Sequence, residues 1–320
     1  MQATEAFNEI VFHLLIIAEN FNDFSRLKTV ARELHDLDVV SRHAVESLKQ
    51  ENESYDTKRI FINEFDSEAP ENEAWIELEN VSVGFTGADG NYKGLIHNLF
   101  IKLEIKPNAA QSMLITGPSG VGKTTLLRAI AGIWSEGNGI IHRPLKNKLM
   151  FIPQKSYLCL GTLRAQLLYP RTEHEFFSGD FLPEKNDEHI EQALERVNLH
   201  HLLYRDERRL DAVDKWSEVL SVGEQQRVAF ARMLISEPDY IILDEATSAC
   251  DENNEILMYQ LVASTCTAWI SVGHRISIER FHASKLMLKH GGSWDFCLLK
   301  HNQILDGNSD LIHLPEAQKK

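Results

Sequence analysis

Residues 117–125 have the composition of a phosphate-binding loop. They read GPSGVGKTT, in which four residues separate two glycines and a lysine and a hydroxyl residue follow. The apolar residues 112–116 precede the loop, and residues 124–132 follow it, turning from polar to apolar and ending on a glycine. This order predicts a buried strand, a tight turn and a helix. Such a turn aims backbone N–H groups and the positive end of a helix dipole at one point, which attracts phosphate.

Two side chains of the loop have predicted roles of their own. The Lys123 ammonium would reach the β- and γ-phosphates of a nucleotide, and the Thr124 hydroxyl would bind Mg²⁺. The full set of predicted phosphate-contacting residues is Gly117, Pro118, Ser119, Gly120, Val121, Gly122, Lys123, Thr124 and Thr125.

Two adjacent carboxylates follow a second apolar run. Residues 240–243 are of the buried type, and Asp244 and Glu245 come directly after them. In a phosphate-loop enzyme, an aspartate at the end of a neighbouring strand completes the Mg²⁺ shell. A second carboxylate beside it can orient and deprotonate water. An ordinary surface pair of acids is disfavoured, because no turn separates the pair from the apolar run.

Three further polar residues stand at the ends of predicted elements. Gln154 ends a predicted strand, and His274 ends the apolar run that begins at residue 268. Ser221 is a predicted helix N-cap, and Glu224 three residues later completes a capping box. Taken alone, each has an ordinary structural explanation, since a histidine at a strand end is more often structural than catalytic.

The bulk composition limits the protein class. The 320 residues, 43% hydrophobic and 25% charged, predict a soluble globular chain with one large domain plus an extension, or two domains. The formal net charge of −14 argues against a general nucleic-acid-binding surface, although a local basic patch stays open. The four cysteines have no disulfide or metal-site spacing, which favours a reducing compartment; they are Cys159, Cys250, Cys266 and Cys297.

The regions before the phosphate loop differ in pattern. Residues 1–50 are predicted to be helical, as an amphipathic pair packing on another surface or as the end of a larger helical domain. The longest apolar run there, between Glu9 and Glu19, is shorter than the ~20 residues of a spanning helix. Residues 51–74 are polar and acidic, which predicts a linker, and alternation from residue 75 predicts antiparallel strands.

Together these features resemble the ATP-binding domain of an ABC transporter over residues 75–299. The six motifs stand in the family's order: phosphate loop (117–125), Q-loop (Gln154), signature (220–224), Walker B (241–245), D-loop (248–251) and H-loop (His274). The resemblance implies an α/β fold, with a P-loop NTPase (RecA-like) core, an antiparallel β subdomain and a helical signature subdomain, preceded by an N-terminal helical extension. The implied division is 1–50, resembling the end of a transmembrane domain; 51–74, linker; 75–305, ABC ATP-binding domain; and 306–320, tail.

Residues 151–157, 161–170 and 216–221 resemble the D subfamily of half-transporters, which carry fatty acids, acyl-CoA or, in one case, cobalamin. Residues 220–226 and 271–275 look closest to its plastid and bacterial branch. The resemblance implies transport of fatty acids, acyl-CoA or a related lipophilic substrate. It also implies a membrane-associated protein with its ATPase domain on the cytosolic or stromal side. A peroxisome, a plastid and a bacterial inner membrane stay open.

The resemblance implies ATP and Mg²⁺ as ligands. It also implies two partners, a transmembrane domain and a second ATP-binding domain that faces the first head to tail in a homo- or heterodimer. Asp244, Gln154 and Thr124 would complete the metal and water environment. Glu245 would be the base, and His274 would position the γ-phosphate.

Other nucleotide contacts are implied at a distance from the phosphate loop. Ser221 and Gly223 of the opposite domain would contact the γ-phosphate. The adenine would stack on an aromatic residue, with Phe85 first and Tyr92 second, although either is equally an ordinary sheet residue.

The sequence departs from the family pattern at three positions. Val222 replaces the first glycine of the signature, and Glu224 stands where glutamine is usual. Both departures should permit contact with ATP. Cys250 replaces a leucine of the D-loop and is apolar enough to pack in its place.

Two other functions stay as alternatives. A soluble ABC-type ATPase of DNA repair or translation is disfavoured by the acidic balance, by the single ATPase domain and by the interval of only about a hundred residues between phosphate loop and signature. A non-hydrolysing regulatory nucleotide-binding subunit is the second alternative. A GTPase is disfavoured, because the sequence has no Asn-Lys-x-Asp guanine-binding motif.

Overall fold

The computed structural model describes residues 59–65, 74–87, 90–104, 111–145, 148–171, 187–299 and 311–313. The chain divides into two compact units, 1–57 and 58–320, and all of these residues belong to the second. The helices predicted in residues 1–50 therefore lie outside the described residues.

The described strands form two sheets. Their bounds are β1 Phe61–Phe65, β2 Ala74–Thr86, β3 Tyr92–Glu104, β4 Gln111–Thr116, β5 Gly137–Pro144, β6 Leu149–Ile152, β7 Tyr240–Asp244, β8 Ala268–Val272, β9 Ser284–Leu288, β10 Trp294–Leu299 and β11 Leu311–His313. The larger sheet has the order β11-β10-β9-β4-β8-β7-β6, and its segment from β9 to β6 is parallel. Every residue of β7 and β8 is buried, which explains the uninterrupted apolar runs in the sequence.

The smaller sheet has the order β1-β5-β2-β3. Antiparallel pairing of β2 with β3 and with β5 confirms the predicted antiparallel strands. The pattern did not indicate β1, which lies inside the range interpreted as a linker and pairs in parallel with β5. Its side chains are mostly exposed at a sheet edge, so it carries no regular alternation of apolar residues. Backbone pairing and the buried neighbour Ile60 hold it in place.

Helix α1, Lys123–Ile130, packs in an apolar core that both sheets share. Leu126, Leu127 and Ile130 are fully buried there. The carboxyl end of α1 is also tied to the smaller sheet. The buried guanidinium of Arg143 donates to the main-chain oxygen of Ile130 and forms an ion pair with Glu64 of β1.

The remaining helices belong to a second apolar core. They are α2 Leu163–Leu168, α3 Asp187–Arg196, α4 Trp216–Val219, α5 Val222–Ser236 and α6 Glu252–Thr265, with 3-10 turns at His200–Tyr204, Arg209–Asp211 and Ile276–Phe281. Leu194, Trp216 and Phe230 join α3, α4 and α5 in this core. Within the described part of the chain, no helix combines the length and the apolar character needed to cross a membrane.

The pairing of β5 with β2 generates the first prediction. Gly137 has a φ of 153°, and a Cβ there would overlap the main-chain oxygen of Ser82. Gly90 also has a positive φ, 75°, but a Cβ there would lie in open space. Gly137→Ala should lower the free energy of unfolding by more than about 2 kcal/mol, and the control Gly90→Ala by about 1 kcal/mol. Equal losses in chemical denaturation would contradict this account.

Candidate functional site

The phosphate loop connects β4 to α1. Gly117 has a φ of 146° and Gly122 a φ of 104°, values that L-residues rarely adopt. A Cβ on Gly117 would overlap the main-chain oxygen of Leu288, and one on Gly122 would lie 3.1 Å from Cβ of Leu95. The loop is therefore held between β9 and β3, and glycine is needed at both positions. Because Gly122 is the N-cap of α1, no cap side chain competes for the first amide groups of the helix.

Lys123 lies over the loop that it follows. Its Nζ donates to the main-chain oxygens of Gly117 and Pro118, both at 2.9 Å. Burial lowers the pKa of this ammonium, while the nearby carboxylates of Glu245 and Asp244 act to raise it. A negative ligand in the loop would stabilise the charged form of Lys123, as phosphate does.

Thr124 and Asp244 meet as the sequence predicts for a magnesium site. The Thr124 hydroxyl donates to Oδ1 of Asp244 at 2.9 Å. Asp244 is buried, and burial raises the pKa of its carboxyl. A cation would stabilise the ionised form, and hydroxyl and carboxylate oxygens are ligands that suit Mg²⁺. The two residues therefore fit the predicted ion.

Glu245 is held from both sides. Nε2 of Gln154 donates to its Oε2 at 2.7 Å, and Nε2 of His274 lies 3.2 Å from its Oε1. The backbone of Glu245 is left-handed, with a φ of 48°, and its N–H donates to the main-chain oxygen of Val272 at 3.2 Å. Such a conformation is uncommon outside glycine and clusters at functional sites. The structure thus brings together all three residues that the sequence predicts to be catalytic.

Gln154 contacts Glu245 rather than the Thr124–Asp244 pair in the described hydrogen bonds. Its part as a metal ligand stays a prediction.

The signature residues form the predicted capping box at the start of α5. The Ser221 hydroxyl donates to Oε2 of Glu224 at 2.7 Å, and its backbone N–H donates to the same oxygen at 2.9 Å. A Cβ on Gly223 would lie 2.9 Å from the main-chain oxygen of Ala249, so Gly223 packs against the D-loop. Ser221 and Val222 are exposed, which leaves the signature open to a ligand or a second domain.

Gln226 is a site residue that the sequence analysis missed. Its fully buried amide donates to the main-chain oxygen of Gln154 and to Oγ of Ser248, both at 3.2 Å, and accepts from the N–H of Ala249 at 2.9 Å. It therefore ties α5 to the Gln154 segment and to the D-loop that follows Glu245. The sequence holds one signal for this role: Gln226 stands four residues before the apolar Phe230 and so shares its face of the helix. A glutamine on a buried face needs hydrogen-bond partners.

Glu255 and Arg275 were also missed. The buried Glu255 carboxylate accepts from Thr247 Oγ1 at 2.8 Å, Ser277 Oγ at 3.0 Å and Arg275 Nη1 at 3.3 Å. Arg275 also donates to the main-chain oxygen of Cys250 at 2.9 Å. The pair thus joins the D-loop to the residues that follow His274. Their partners are set by the tertiary fold, so local sequence carried no signal for them.

Cys250 packs as an apolar residue. Its side chain is buried, and burial raises the pKa of its thiol. Its Sγ lies 3.9 Å from the main-chain oxygen of Gly223, so it joins the D-loop to the signature.

The two candidate adenine-stacking residues lie on neighbouring strands. Phe85 of β2 is half-buried, and Nζ of Lys93 lies 6.0 Å from its ring centroid. The Tyr92 ring lies against Gly84, where an added Cβ would meet it at 2.6 Å. Both side chains are half-buried, and both residues stay predictions.

The Glu255 contacts generate the second prediction. Glu255→Gln should lower the free energy of unfolding by about 1–3 kcal/mol, because the buried network loses its negative charge and one of its two acceptor oxygens. The control is Glu252→Gln, which removes an exposed charge from the same first turn of α6. Chemical denaturation should show a loss for Glu252→Gln smaller than about 0.5 kcal/mol. Equal losses of unfolding free energy would contradict this account, because they would arise from removing a negative charge at the helix start and not from the buried contacts of Glu255.

The chain is similar to several known proteins. Residues 101–248 match the family model described as ABC transporter. An uncharacterized ABC transporter ATP-binding protein of Synechocystis sp. is 44% identical, over 69% of this chain and 31% of its own length. The lysosomal cobalamin transporter ABCD4 of Homo sapiens is 40% identical, over 70% of this chain and 36% of its own. The chloroplastic ABC transporter D family member 2 of Arabidopsis thaliana is 32% identical, over 90% and 46%.

A solved structure has a related fold. A bacterial Atm1-family ABC exporter with ATP bound matches with a TM-score of 0.54 and 25% identity, over 70% of this chain and 39% of that chain. The chain thus spans between about a third and a half of the length of these relatives. The matches confirm the predicted fold class and the predicted relation to the D subfamily and its bacterial relatives.

Proposed function

We propose that this chain, which contains an ABC transporter ATP-binding domain, hydrolyses ATP and is the motor part of a membrane transporter. One observation carries the proposal: Glu245, held by Gln154 and His274, stands beside the Thr124–Asp244 pair and the phosphate loop. A base, an oxygen-ligand pair and a phosphate cradle are the parts that phosphoryl transfer to water requires.

The residues would act on ATP as follows. Lys123 and the loop amides hold the β- and γ-phosphates, and Mg²⁺ at Thr124 and Asp244 supplies positive charge to those phosphates when bound. Glu245 accepts a proton from the attacking water, whose oxygen forms the new bond to the γ-phosphorus while the bond to ADP breaks. His274 donates a hydrogen bond to the γ-phosphate. Positioning and charge supply most of such catalysis.

The proposed active unit is a head-to-tail dimer of two ATP-binding domains. Ser221 and Gly223 would then close over the nucleotide of the opposite domain. Two apolar side chains next to motif residues support such an interface: Val222, 60% exposed, and Ile276, 87% exposed, two residues after His274. Burying them in the dimer would favour its closure.

The proposed second partner is a transmembrane domain. Three exposed apolar residues, Tyr157, Leu160 and Tyr169, follow the Q-loop residue Gln154 in the chain; the two tyrosine ring centroids lie 5.0 Å apart, and Leu160 is 92% exposed. The main-chain oxygen of Tyr157 accepts from the buried Arg232 at 2.9 Å, which fixes this segment to α5. A partner that binds these three residues would therefore act on the Gln154 segment and on α5 together.

We extend the proposal to substrate and location. The substrate class is fatty acids, acyl-CoA or a related lipophilic molecule. The relative named as a cobalamin transporter is a reason to test cobalamin beside them. The protein would be membrane-associated, with this domain on the cytosolic or stromal side of a peroxisomal, plastid or bacterial inner membrane. Residues 1–50 would be the end of the membrane domain.

The third prediction tests the motor. Glu245→Gln should lower ATP turnover by roughly a hundredfold or more, because the amide cannot accept the proton of water. It should also trap an ATP-dependent dimer, visible by light scattering. The control Glu252→Gln should turn over ATP at the wild-type rate.

Two outcomes would contradict the proposed function. If the wild type and Glu245→Gln bind ATP but neither hydrolyses it nor dimerises, a regulatory nucleotide-binding role replaces the motor. If Glu245→Gln keeps wild-type turnover, Glu245 is not the base.

A further inference from the structure

We propose that the Glu224 carboxylate keeps the Ser221 hydroxyl proton turned away from the γ-phosphate. His201 holds Glu224 as the acceptor of that proton. The inference rests on the proposed function, because it takes Ser221 to contact a nucleotide on a second domain. It assigns positioning roles to Glu224 and His201.

The Ser221 hydroxyl is bound by both the side chain and the backbone of Glu224. Its hydroxyl oxygen lies 2.7 Å from Oε2 of Glu224, and the Glu224 backbone N–H lies 3.3 Å from the same hydroxyl oxygen. The hydroxyl oxygen thus accepts from a backbone amide and donates to a carboxylate. Both contacts lie within one helical turn, so they form without a second domain.

The Ser221 hydroxyl can donate to only one acceptor at a time. A serine hydroxyl carries one proton, and an ionised carboxylate can only accept. In the capping box, that proton therefore points toward Glu224. A γ-phosphate oxygen is also an acceptor, so it would meet a lone pair of Ser221 until the hydroxyl proton turns away from Glu224. Engagement of the second domain must therefore break the bond between Ser221 and Glu224.

His201 supports the acceptor state of Glu224. Its Nε2 lies 3.0 Å from Oε1 of Glu224, the oxygen that Ser221 does not use. Burial acts to raise the pKa of Glu224, but the hydrogen bonds from Ser221 and His201 outweigh it and lower the pKa. His201 comes from the 3-10 turn His200–Tyr204, so its contact joins two separate segments of the helical core.

An amide at position 224 would act differently. Glutamine has the shape of glutamate but no charge, and its carbonyl oxygen would keep the bond from the Ser221 backbone N–H, so the hydroxyl would face a weaker acceptor than a carboxylate. Turning the hydroxyl proton outward to a phosphate would then cost less free energy. Glu224→Gln should therefore favour the ATP-bound dimer.

The experiment measures ATP-dependent dimerisation by light scattering in Glu245→Gln protein, which does not consume the nucleotide. Adding Glu224→Gln should lower the half-saturating ATP concentration roughly tenfold, the difference between a hydrogen bond to a charged acceptor and one to a neutral acceptor. The matched control is Glu218→Gln. It removes the same charge three residues before Ser221, from a side chain that is 70% exposed, and should leave the concentration unchanged.

Two further variants test the route through the hydroxyl. In Ser221→Ala protein, Glu224→Gln should have no effect on dimerisation. His201→Gln alone should lower the half-saturating concentration less than Glu224→Gln does, and it should change nothing once residue 224 is glutamine.

The outcomes separate this inference from the proposed function. An equal gain from Glu218→Gln and Glu224→Gln would show a general charge effect and overturn the inference. Weaker dimerisation in Glu224→Gln would overturn it too, since the carboxylate would then assist engagement. If the Glu245→Gln protein forms no ATP-dependent dimer with any residue at position 224, the proposed function itself fails, and the inference with it.

Discussion

The candidate site depends on the parallel register of three central strands. Ile115 of β4 pairs with Val272 of β8, and Val272 pairs with Asp244 of β7. Asp244 is itself one of these paired positions, Glu245 follows it directly, and Gly117 and His274 each stand two residues after a paired position. Segments more than a hundred residues apart therefore meet at one edge of the sheet. Their side chains can act together only while this register is kept, and full burial of β7 and β8 fixes it.

The site is held by buried polar contacts as well as by the sheet. Gln226 reaches the Gln154 segment and the D-loop from one side, and Glu255 with Arg275 reaches the D-loop and the H-loop from the other. Because the hydrogen-bonding atoms that carry these ties are paired inside the protein, moving one loop costs the hydrogen bonds of the next. A change at Gln154 is thereby passed to the segment that presents the D-loop.

Sequence reasoning found the residues that belong to contiguous patterns. The phosphate loop, the Asp244–Glu245 pair and the Ser221–Glu224 capping box each depend on spacing within a few positions, which local backbone geometry translates directly into contacts. Gln226 and Glu255 escaped because their partners lie at other places in the chain. Strand β1 escaped because an exposed edge strand needs no apolar alternation. Phe85 shows a third limit, since a half-buried ring is compatible with both stacking on a base and packing in a sheet.

Strand β1 has a mechanical consequence. It is the first described strand, so the chain pairs with the smaller sheet before any residue that is predicted to bind nucleotide. Arg143 then bridges Glu64 of that strand to the carbonyl of Ile130, at the end of α1 opposite the phosphate loop. A force on β1 would therefore reach the carboxyl end of α1 through the two contacts of the Arg143 guanidinium. A tilt of α1 would act on β1 through the same contacts.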